Sequence, residues 1–286
     1  GIPASLDMPP YVWVRDDRVE RLPTARLPGV PFSDPGFYRP GIAAPGFRVE
    51  SVLGELTAEA VRYVRERSRE PERPFFLYLA LTSPHTPVVP GEAFAGRSGI
   101  GRYGDFVAET DAAVGAVLAA LDEAGLAGRT IVIATSDNGP APAGGIAEAR
   151  RHGHDASGGF RGHKADLYEG GHRVPFVVRW PGVAPAGATT AHLVGTTDVL
   201  ATLADVVGTP LPAGSGEDSF SFAEALRDPV RTPPREAGLV HHSVTGAFAV
   251  RQGRWKLLLA PGSGGWSDPK PGSPEEKGLP PTQLYD

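Results

Sequence analysis

The chain has 286 residues, of which 41% are hydrophobic and 21% are charged, and its formal net charge is −5. No apolar run approaches the roughly 20 residues that a membrane-spanning helix needs, which excludes a membrane protein. Acidic residues outnumber basic ones and no basic block occurs, so nucleic-acid binding is excluded as well. The absence of cysteine excludes thiolate nucleophiles, zinc sites built on sulfur and disulfides.

The first 50 residues are rich in proline and glycine and contain one strand-like run, residues 11–14. Asp16 and Asp17 follow that run, and adjacent aspartates are typical of turns. We therefore expect an irregular segment with a hairpin turn at this pair, packed on a larger body.

From residue 53 onwards the apolar pattern alternates between helices and short buried strands. Helical spacing predicts helices over residues 57–68, 105–124 and 198–207. Continuous apolar or β-branched runs predict strands over residues 74–81, 130–135 and 174–180. Because the strands of a β-α-β unit are normally parallel, the pattern predicts an α/β fold with a mostly parallel sheet sandwiched by helices. Runs at 247–250 and 255–259 predict a terminal hairpin.

Polar side chains follow the first two predicted strands, at the sheet edge where ligands of α/β proteins bind. His85 stands between two prolines after the first strand, and Asp137-Asn138-Gly139 follows the second. Carboxylate and amide oxygens suit Ca²⁺ or Mg²⁺ better than zinc or iron. An Asp-Asn-Gly sequence is also a common turn, so a plain turn is the alternative.

A polar, glycine-bearing stretch over residues 161–175 runs into the third predicted strand. Lys164 is one of only four lysines against 24 arginines, and Arg161, His163 and Arg173 are close to it in sequence. Lys and Arg side chains bind phosphate- or sulfate-like oxygens, so the stretch predicts an anion pocket. A solvated loop is the alternative.

These three segments carry a family resemblance. The stretch 161–175 resembles the signature of type I sulfatases of the alkaline phosphatase superfamily, in which Gly-x-Lys precedes Glu-Gly-Gly-x-Arg-Val-Pro. Residues 83–87 (Ser-Pro-His-Thr-Pro) and 136–139 (Ser-Asp-Asn-Gly) are similar to that family's motifs, in the family's order.

The resemblance implies roles for individual residues. Asp137 and Asn138 would be two ligands of one divalent cation, Ca²⁺ rather than Mg²⁺. His85 and Lys164 would be the catalytic groups that contact the sulfate and its bridging oxygen, and His85 would protonate the leaving alcohol. The attacking group in this family is a formylglycine hydrate. The stretch also contains or adjoins three substrate-binding candidates: His154, Arg161 and His163.

The nucleophile motif of the family is not found in the chain. The family makes formylglycine from Cys or Ser in Cys/Ser-x-Pro-x-Arg, whereas the string at residues 267–271, Ser-Asp-Pro-Lys-Pro, lacks the arginine. Asp16-Asp17 resembles the family's other metal-binding pair only superficially, and we interpret it as a turn. We therefore expect a sulfatase piece that lacks its N-terminal part with the formylglycine and is itself inactive.

The resemblance also predicts the domain organisation: a sulfatase-type α/β domain over residues 1–240, and the beginning of a small antiparallel C-terminal subdomain over residues 241–286. The substrate would be a sulfated small molecule or carbohydrate, with no nucleic acid and no membrane span, and a periplasmic or secreted location. The alternatives are a phosphodiesterase or phosphonate hydrolase of the same superfamily, and a non-catalytic protein that binds sulfated glycans.

Overall fold

The computed structural model describes the whole chain, residues 1–286, in two units. Unit 1 comprises residues 1–127 and 140–156, and unit 2 comprises residues 128–139 and 157–286. The predicted domain boundary after residue 240 stays a prediction.

Unit 1 combines short antiparallel strand pairs with two long helices. Its strands are β1 (Val14–Arg15), β2 (Arg18–Val19), β3 (Ala25–Leu27) and β4 (Gly41–Ala43), and its helices are α1 (Val52–Arg67), α2 (Arg102–Glu123) and α3 (Ile146–Arg151). The turn predicted at Asp16-Asp17 is confirmed, because β1 pairs with β2 around it and Asp16 has a φ of 53°.

The core of unit 1 lies under the proline-rich segment and between the two long helices. Tyr11, Val12 and Val52 are almost completely buried in one cluster, and Val88 and Phe106 in a second. The predicted helices 57–68 and 105–124 are confirmed as α1 and α2. The helix α1 begins five residues earlier than predicted, because Val52 and Leu53 extend its buried face.

The buried strand predicted over residues 74–81 is not found. The segment forms no regular secondary structure and belongs to no strand pair. Its exposure alternates: Phe76 and Tyr78 are 71% and 82% exposed, whereas Leu81 packs against the second core cluster of unit 1. A continuous apolar run does not by itself distinguish a strand buried on both faces from one that buries a single face.

Unit 2 contains two separate sheets and three short helices. Its strands are β5 (Val132–Thr135), β6 (Phe176–Arg179), β7 (Leu239–His242), β8 (Phe248–Gln252), β9 (Trp255–Leu258) and β10 (Gln283–Tyr285), and its helices are α4 (Glu169–His172), α5 (Asp198–Val207) and α6 (Ala223–Arg227). The strands predicted over 130–135 and 174–180, the helix 198–207 and the terminal hairpin are confirmed.

The predicted parallel arrangement is not observed. The strands β5 and β6 pair with each other in antiparallel register, Val132 opposite Arg179 and Thr135 opposite Phe176. All the other strand pairs are antiparallel too, and parallel pairing occurs at one isolated bridge, between Tyr11 and Ala43. The segments 74–81 and 130–135, which the sequence predicts as parallel strands of one β-α-β unit, do not pair, because 74–81 has no paired neighbour.

The second sheet of unit 2 has the strand order β10-β9-β8-β7 and is antiparallel throughout, as predicted for the C-terminal region. One of its faces covers the segment 167–168: Leu167 and Tyr168 are buried with Ala249, Leu258 and Ala260. The sheet therefore packs directly on the polar stretch that the sequence marks as functional. None of the helices in the structure combines the length and the apolar character that crossing a membrane requires.

Candidate functional site

The loop after β5 presents oxygen atoms at its tip. Asp137 is exposed and Asn138 is half-buried. The Ser136 hydroxyl donates to the backbone carbonyl of Asn138 over 3.0 Å, and the Asn138 amide nitrogen donates to the carbonyl of Gly139 over 3.0 Å. These local bonds fix the loop while leaving the Asn138 amide oxygen available as a ligand.

Lys164 lies at the corner of a tight turn, residues 163–166. The backbone N–H of Asp166 donates to the carbonyl of His163 over 3.1 Å and closes the turn. Ala165 has a φ of 83°, the conformation that the third position of a type II turn requires. Lys164 is half-buried, and its ammonium group has no hydrogen bond or ion pair with the protein. Such an unpartnered cation is available to an anion.

Glycines pack the Asp137-Asn138 loop, α4 and the Lys164 turn against one another. The N–H of Gly139 donates to the carbonyl of Gly171 over 3.0 Å. A Cβ on Gly139 would lie 1.8 Å from the carbonyl oxygen of Gly170, and a Cβ on Gly171 would lie 2.6 Å from that of Asp166. The backbones therefore touch where a side chain would keep them apart. This contact brings the predicted metal loop and the predicted lysine into one assembly within unit 2.

Glu169 anchors this assembly to the antiparallel sheet. Its two carboxylate oxygens accept bonds from Lys256 and Arg251, each over 2.9 Å, and Arg173 lies 3.7 Å away. Burial opposes ionisation of the Glu169 carboxyl, but these cations outweigh it and hold its pKa below the usual range. Burial in turn lowers the pKa of Lys256, although Glu169 opposes that shift. The ion pair holds α4 in place.

The other two candidate residues of unit 2, Arg161 and His163, contact side chains and backbone of the protein itself. The Arg161 guanidinium stacks on the Tyr168 ring, 3.9 Å from its centroid, and donates to the Tyr285 hydroxyl. The His163 ring contacts the carbonyl of Lys164 through Nδ1 and the Ser267 hydroxyl through Nε2. Their predicted role in substrate binding stays a prediction.

His85 and His154 belong to unit 1 and are both exposed. Nδ1 of His85 donates to the carbonyl of Thr86 over 2.8 Å, which leaves Nε2 directed away from this bond. The family resemblance implies that His85 shares one site with Asp137, Asn138 and Lys164; this stays a prediction, and so does the pocket role of His154.

Sequence reasoning missed three residues of this assembly: Asp166, Ser267 and Lys256. Asp166 is fully buried and accepts hydrogen bonds from the segment 266–267, about a hundred positions away in sequence. The scarcity of lysine could have marked Lys256, one of four. The partners of Asp166 carry no comparable signal, because such distant pairing is not encoded locally.

The oxygen atoms of the Asp137-Asn138 loop could supply part of a binding site for Ca²⁺ or Mg²⁺. Asp137 and Asn138 supply the oxygen ligands that Ca²⁺ and Mg²⁺ prefer. No group of three or more His, Asp and Glu side chains is arranged to hold a metal ion. The two residues therefore fit as part of a ligand set and do not complete one.

The chain is similar to known proteins of one family. The family model described as Sulfatase matches residues 48–209, which include the His85 segment, the Asp137-Asn138 loop and the Lys164 turn. The chain is 35% identical over 212 residues to N-acetylgalactosamine-6-O-sulfatase of Bacteroides thetaiotaomicron, covering 73% of this chain and 40% of that protein. It is 38% identical over 224 residues to human arylsulfatase A, covering 77% and 40%. The chain thus spans about 40% of the length of these relatives.

The fold of the chain is also similar to that of solved structures. One from work on the metabolism of glycosaminoglycans by Bacteroides thetaiotaomicron aligns with a TM-score of 0.81 and 28% identity, over 100% of this chain and 65% of that chain. Another, in complex with k-i-k-neocarrahexaose, aligns with a TM-score of 0.62 and 26% identity, over 72% and 45%. The matched family model covers more than half of the chain, and the chain belongs to the sulfatase family.

Proposed function

We propose that the protein hydrolyses sulfate esters, and that this chain supplies the Lys164 turn and the Asp137-Asn138 loop of its active site. The observation that carries the proposal is the partner-free, half-buried ammonium of Lys164 on a turn whose backbone packs, through glycines, with the oxygen-bearing loop. Membership of the sulfatase family supports the same reading.

The proposed roles follow from charge. Lys164 binds a sulfate oxygen and stabilises the negative charge that develops on the bridging oxygen as the ester bond breaks. Asp137 and Asn138 hold a divalent cation, Ca²⁺ rather than Mg²⁺, which when bound supplies positive charge to the sulfate oxygens. His85, with Nδ1 held by the carbonyl of Thr86, gives a proton to the leaving alcohol from Nε2.

The nucleophile is proposed to come from outside the residues of this chain. The chain contains no cysteine and no Ser-x-Pro-x-Arg sequence from which a formylglycine could form. Without a covalent nucleophile an active site retains binding and electrostatic stabilisation only. We therefore expect this chain to bind sulfate and a divalent cation without turning over a sulfate ester.

The proposed substrate is an aryl or carbohydrate sulfate. The named relatives include an N-acetylgalactosamine-6-O-sulfatase and an arylsulfatase, and one solved structure contains a carbohydrate ligand. These names support both substrate classes. We propose a periplasmic or secreted location on the same family grounds.

The proposal is tested by calorimetric titration of the chain with Ca²⁺ and then with sulfate. Asp137→Ala should weaken Ca²⁺ binding, because it removes a charged oxygen ligand, whereas the matched variant Asp122→Ala, also exposed, should not. Lys164→Ala should weaken sulfate binding with Ca²⁺ affinity unchanged, whereas Lys277→Ala, an exposed lysine, should change neither. Equal affinities for Lys164→Ala and Lys277→Ala would contradict the proposed role of Lys164.

The metal preference in this titration, together with an assay of ester cleavage, separates the rival functions. A phosphodiesterase or phosphonate hydrolase of this superfamily would prefer transition metals, so stronger binding of Zn²⁺ or Mn²⁺ than Ca²⁺ at Asp137 would favour it. A non-catalytic binder of sulfated glycans would bind a sulfated oligosaccharide, yet the longer protein would show no ester cleavage.

A further inference from the structure

We propose that Asp166 is a positioning residue for Lys164, through a hydrogen-bonded clasp with the segment 266–267 that holds the Lys164 turn in an otherwise unfavourable conformation. This inference rests on the proposed function, because that proposal makes Lys164 an anion ligand. The contacts that hold the turn are observed independently of it.

The first observation is the backbone of the turn. Ala165 has a φ of 83°, in the left-handed region that a residue with a Cβ adopts at an energetic cost. Only one other non-glycine residue of the chain, Asp16, has a positive φ. Such a conformation persists only where the surrounding contacts impose it. Something next to Lys164 must therefore hold the turn.

The second observation is the carboxylate of Asp166, which is fully buried and has no lysine or arginine partner; Nδ1 of the His163 ring lies 3.6 Å from its Oδ2. Its Oδ1 accepts from the backbone N–H groups of Trp266, over 2.8 Å, and Ser267, over 3.0 Å. Its Oδ2 accepts from the backbone N–H of His163, over 2.9 Å, and from the Ser267 hydroxyl, over 2.5 Å. Four donors thus satisfy one buried charge and tie both ends of the turn to a distant segment.

The third observation is that both carbonyl groups around the turn's corner are also held. The carbonyl of Lys164 accepts from Nδ1 of His163 over 3.0 Å, and that of Ala165 accepts from the N–H of Val244 over 3.0 Å. A Cβ on Gly265 would lie 2.3 Å from the carbonyl oxygen of Ala165, so the clasp segment packs directly against the strained residue. The peptide groups on both sides of Ala165 are therefore fixed, and with them the direction in which Lys164 leaves the backbone.

The clasp explains why Lys164 needs no side-chain partner to be ordered. Its Cα is held by the turn, and the turn is held by Asp166, so the ammonium remains free for an anion. A flexible lysine would lose more conformational entropy on binding an anion than one whose backbone is already fixed. In this arrangement Asp166 touches neither sulfate nor metal, and acts through Lys164.

The test measures the acetylation rate of Lys164 by mass spectrometry, with Lys277 in the same molecule as the internal reference. The chain has only four lysines, so each modified peptide is identified without ambiguity. Asp166→Asn should raise the ligand-free rate of Lys164 by about fivefold or more, because the turn opens locally. The matched control is Asp268→Asn, which removes an exposed carboxylate next to the segment 266–267 and should leave the rate unchanged.

Rescue by glycine distinguishes positioning from general destabilisation. If Asp166 acts by holding Ala165 in the left-handed conformation, the double variant Asp166→Asn with Ala165→Gly should recover the original rate, because glycine adopts that conformation freely. Ser263→Ala removes a buried bond within the same segment, to the carbonyl of Ser267, and Ala165→Gly should not rescue its effects. If Asp166→Asn fails to fold, Ser267→Ala removes one of the four donors and takes its place.

Two results would overturn the inference. In the first, the acetylation rate of ligand-free Lys164 in Asp166→Asn is within about twofold of the rate in Asp268→Asn. In the second, Ala165→Gly fails to restore the original acetylation rate. The proposed function is tested separately, by protection of Lys164 with inorganic sulfate and Ca²⁺. Absence of protection in the unsubstituted chain, with the Asp166→Asn effect intact, would overturn the sulfate role of Lys164 and leave the clasp standing.

Discussion

Two histidine rings lie in contact beside the Glu169 ion pair, with their planes tilted by 45°. The ring centroids of His172 and His241 are 4.1 Å apart, and Nε2 of each is buried without a hydrogen-bond partner. Burial lowers the pKa of His172 to about 4 and that of His241 to about 3, and the positive charge of Lys256 adds to both shifts. Arg251 and His242 also disfavour a proton on His241. Both rings are therefore neutral in the folded chain at neutral pH.

We predict that the chain loses stability as the pH falls below about 6.5. The unfolded chain binds protons at these histidines from about pH 6.5 downwards, whereas the folded chain does so only near the lowered pKa values. The contribution of the neutral rings to the free energy of unfolding is therefore retained above that pH. Between about pH 7 and pH 5 each ring lowers the free energy of unfolding by roughly 2 kcal/mol. Urea unfolding at the two pH values measures it.

The variant His241→Phe should reduce this pH dependence, because one of the two titrating rings is gone. His152→Phe is the control, since His152 is exposed and should leave the dependence unchanged. An identical loss of stability between about pH 7 and pH 5 in His241→Phe and the parent chain would contradict the prediction.

Candidate site residues could be selected from the sequence where the residue type itself carries chemistry, and their roles stay predictions. Asp137 and Asn138 stood out by type and by their place after an apolar run, and Lys164 by the scarcity of lysine; the structure puts all three in one glycine-packed assembly of unit 2. Asp166 could not be found in this way, because its hydrogen bonds come from backbone N–H groups at Trp266 and Ser267, which any sequence provides.

Helices were predicted more accurately than strands. A helix such as α5 is defined by its own spacing and by Gly208, which ends it in the left-handed conformation with a φ of 67°. A strand, by contrast, forms only where another segment pairs with it, and that segment can be far away in the sequence. The segment 74–81 has a strand-like sequence but no paired neighbour, and β5 pairs with β6 from 41 residues further on in antiparallel register.

The glycine contacts of α4 give a prediction about that element. Gly170→Ala should destabilise the chain by about 1–3 kcal/mol, because a Cβ there would lie 2.3 Å from the carbonyl oxygen of Gly162 and the backbone would have to move. Gly115→Ala, in the middle of α2 with open space around it, should instead stabilise by up to about 1 kcal/mol. Urea unfolding compares the two variants.

Gly170→Ala should also weaken the proposed Ca²⁺ binding, since α4 carries the backbone on which the Asp137-Asn138 loop packs. Unchanged stability together with unchanged Ca²⁺ affinity in Gly170→Ala would contradict the close packing that the structure describes.

At the scale of a whole unit, the four-stranded sheet of unit 2 has two different faces. The inner face buries Ala249 and Leu258 against Leu167 and Tyr168. The outer face carries a row of apolar side chains that crosses all four strands in register: Val240, Val250, Leu257 and Leu284. Three of them, Val240, Leu257 and Leu284, are between 38% and 64% exposed. Contiguous exposed apolar side chains promote association.

We predict that the double variant Leu257→Lys with Leu284→Lys self-associates less than the parent chain and binds less of the dye ANS, with its circular dichroism unchanged. The reason is that both side chains leave the sheet on the solvent side, where charge is tolerated and opposes edge-to-edge and face-to-face contacts. Sedimentation velocity over a range of concentrations measures the association. Leu258→Lys, one position along β9, is the matched control: its side chain is fully buried on the inner face, so the same charge should unfold unit 2. If the outer-face variant unfolds as readily as Leu258→Lys, the register of β9 is wrong, because a slip by one residue exchanges the two faces of the strand.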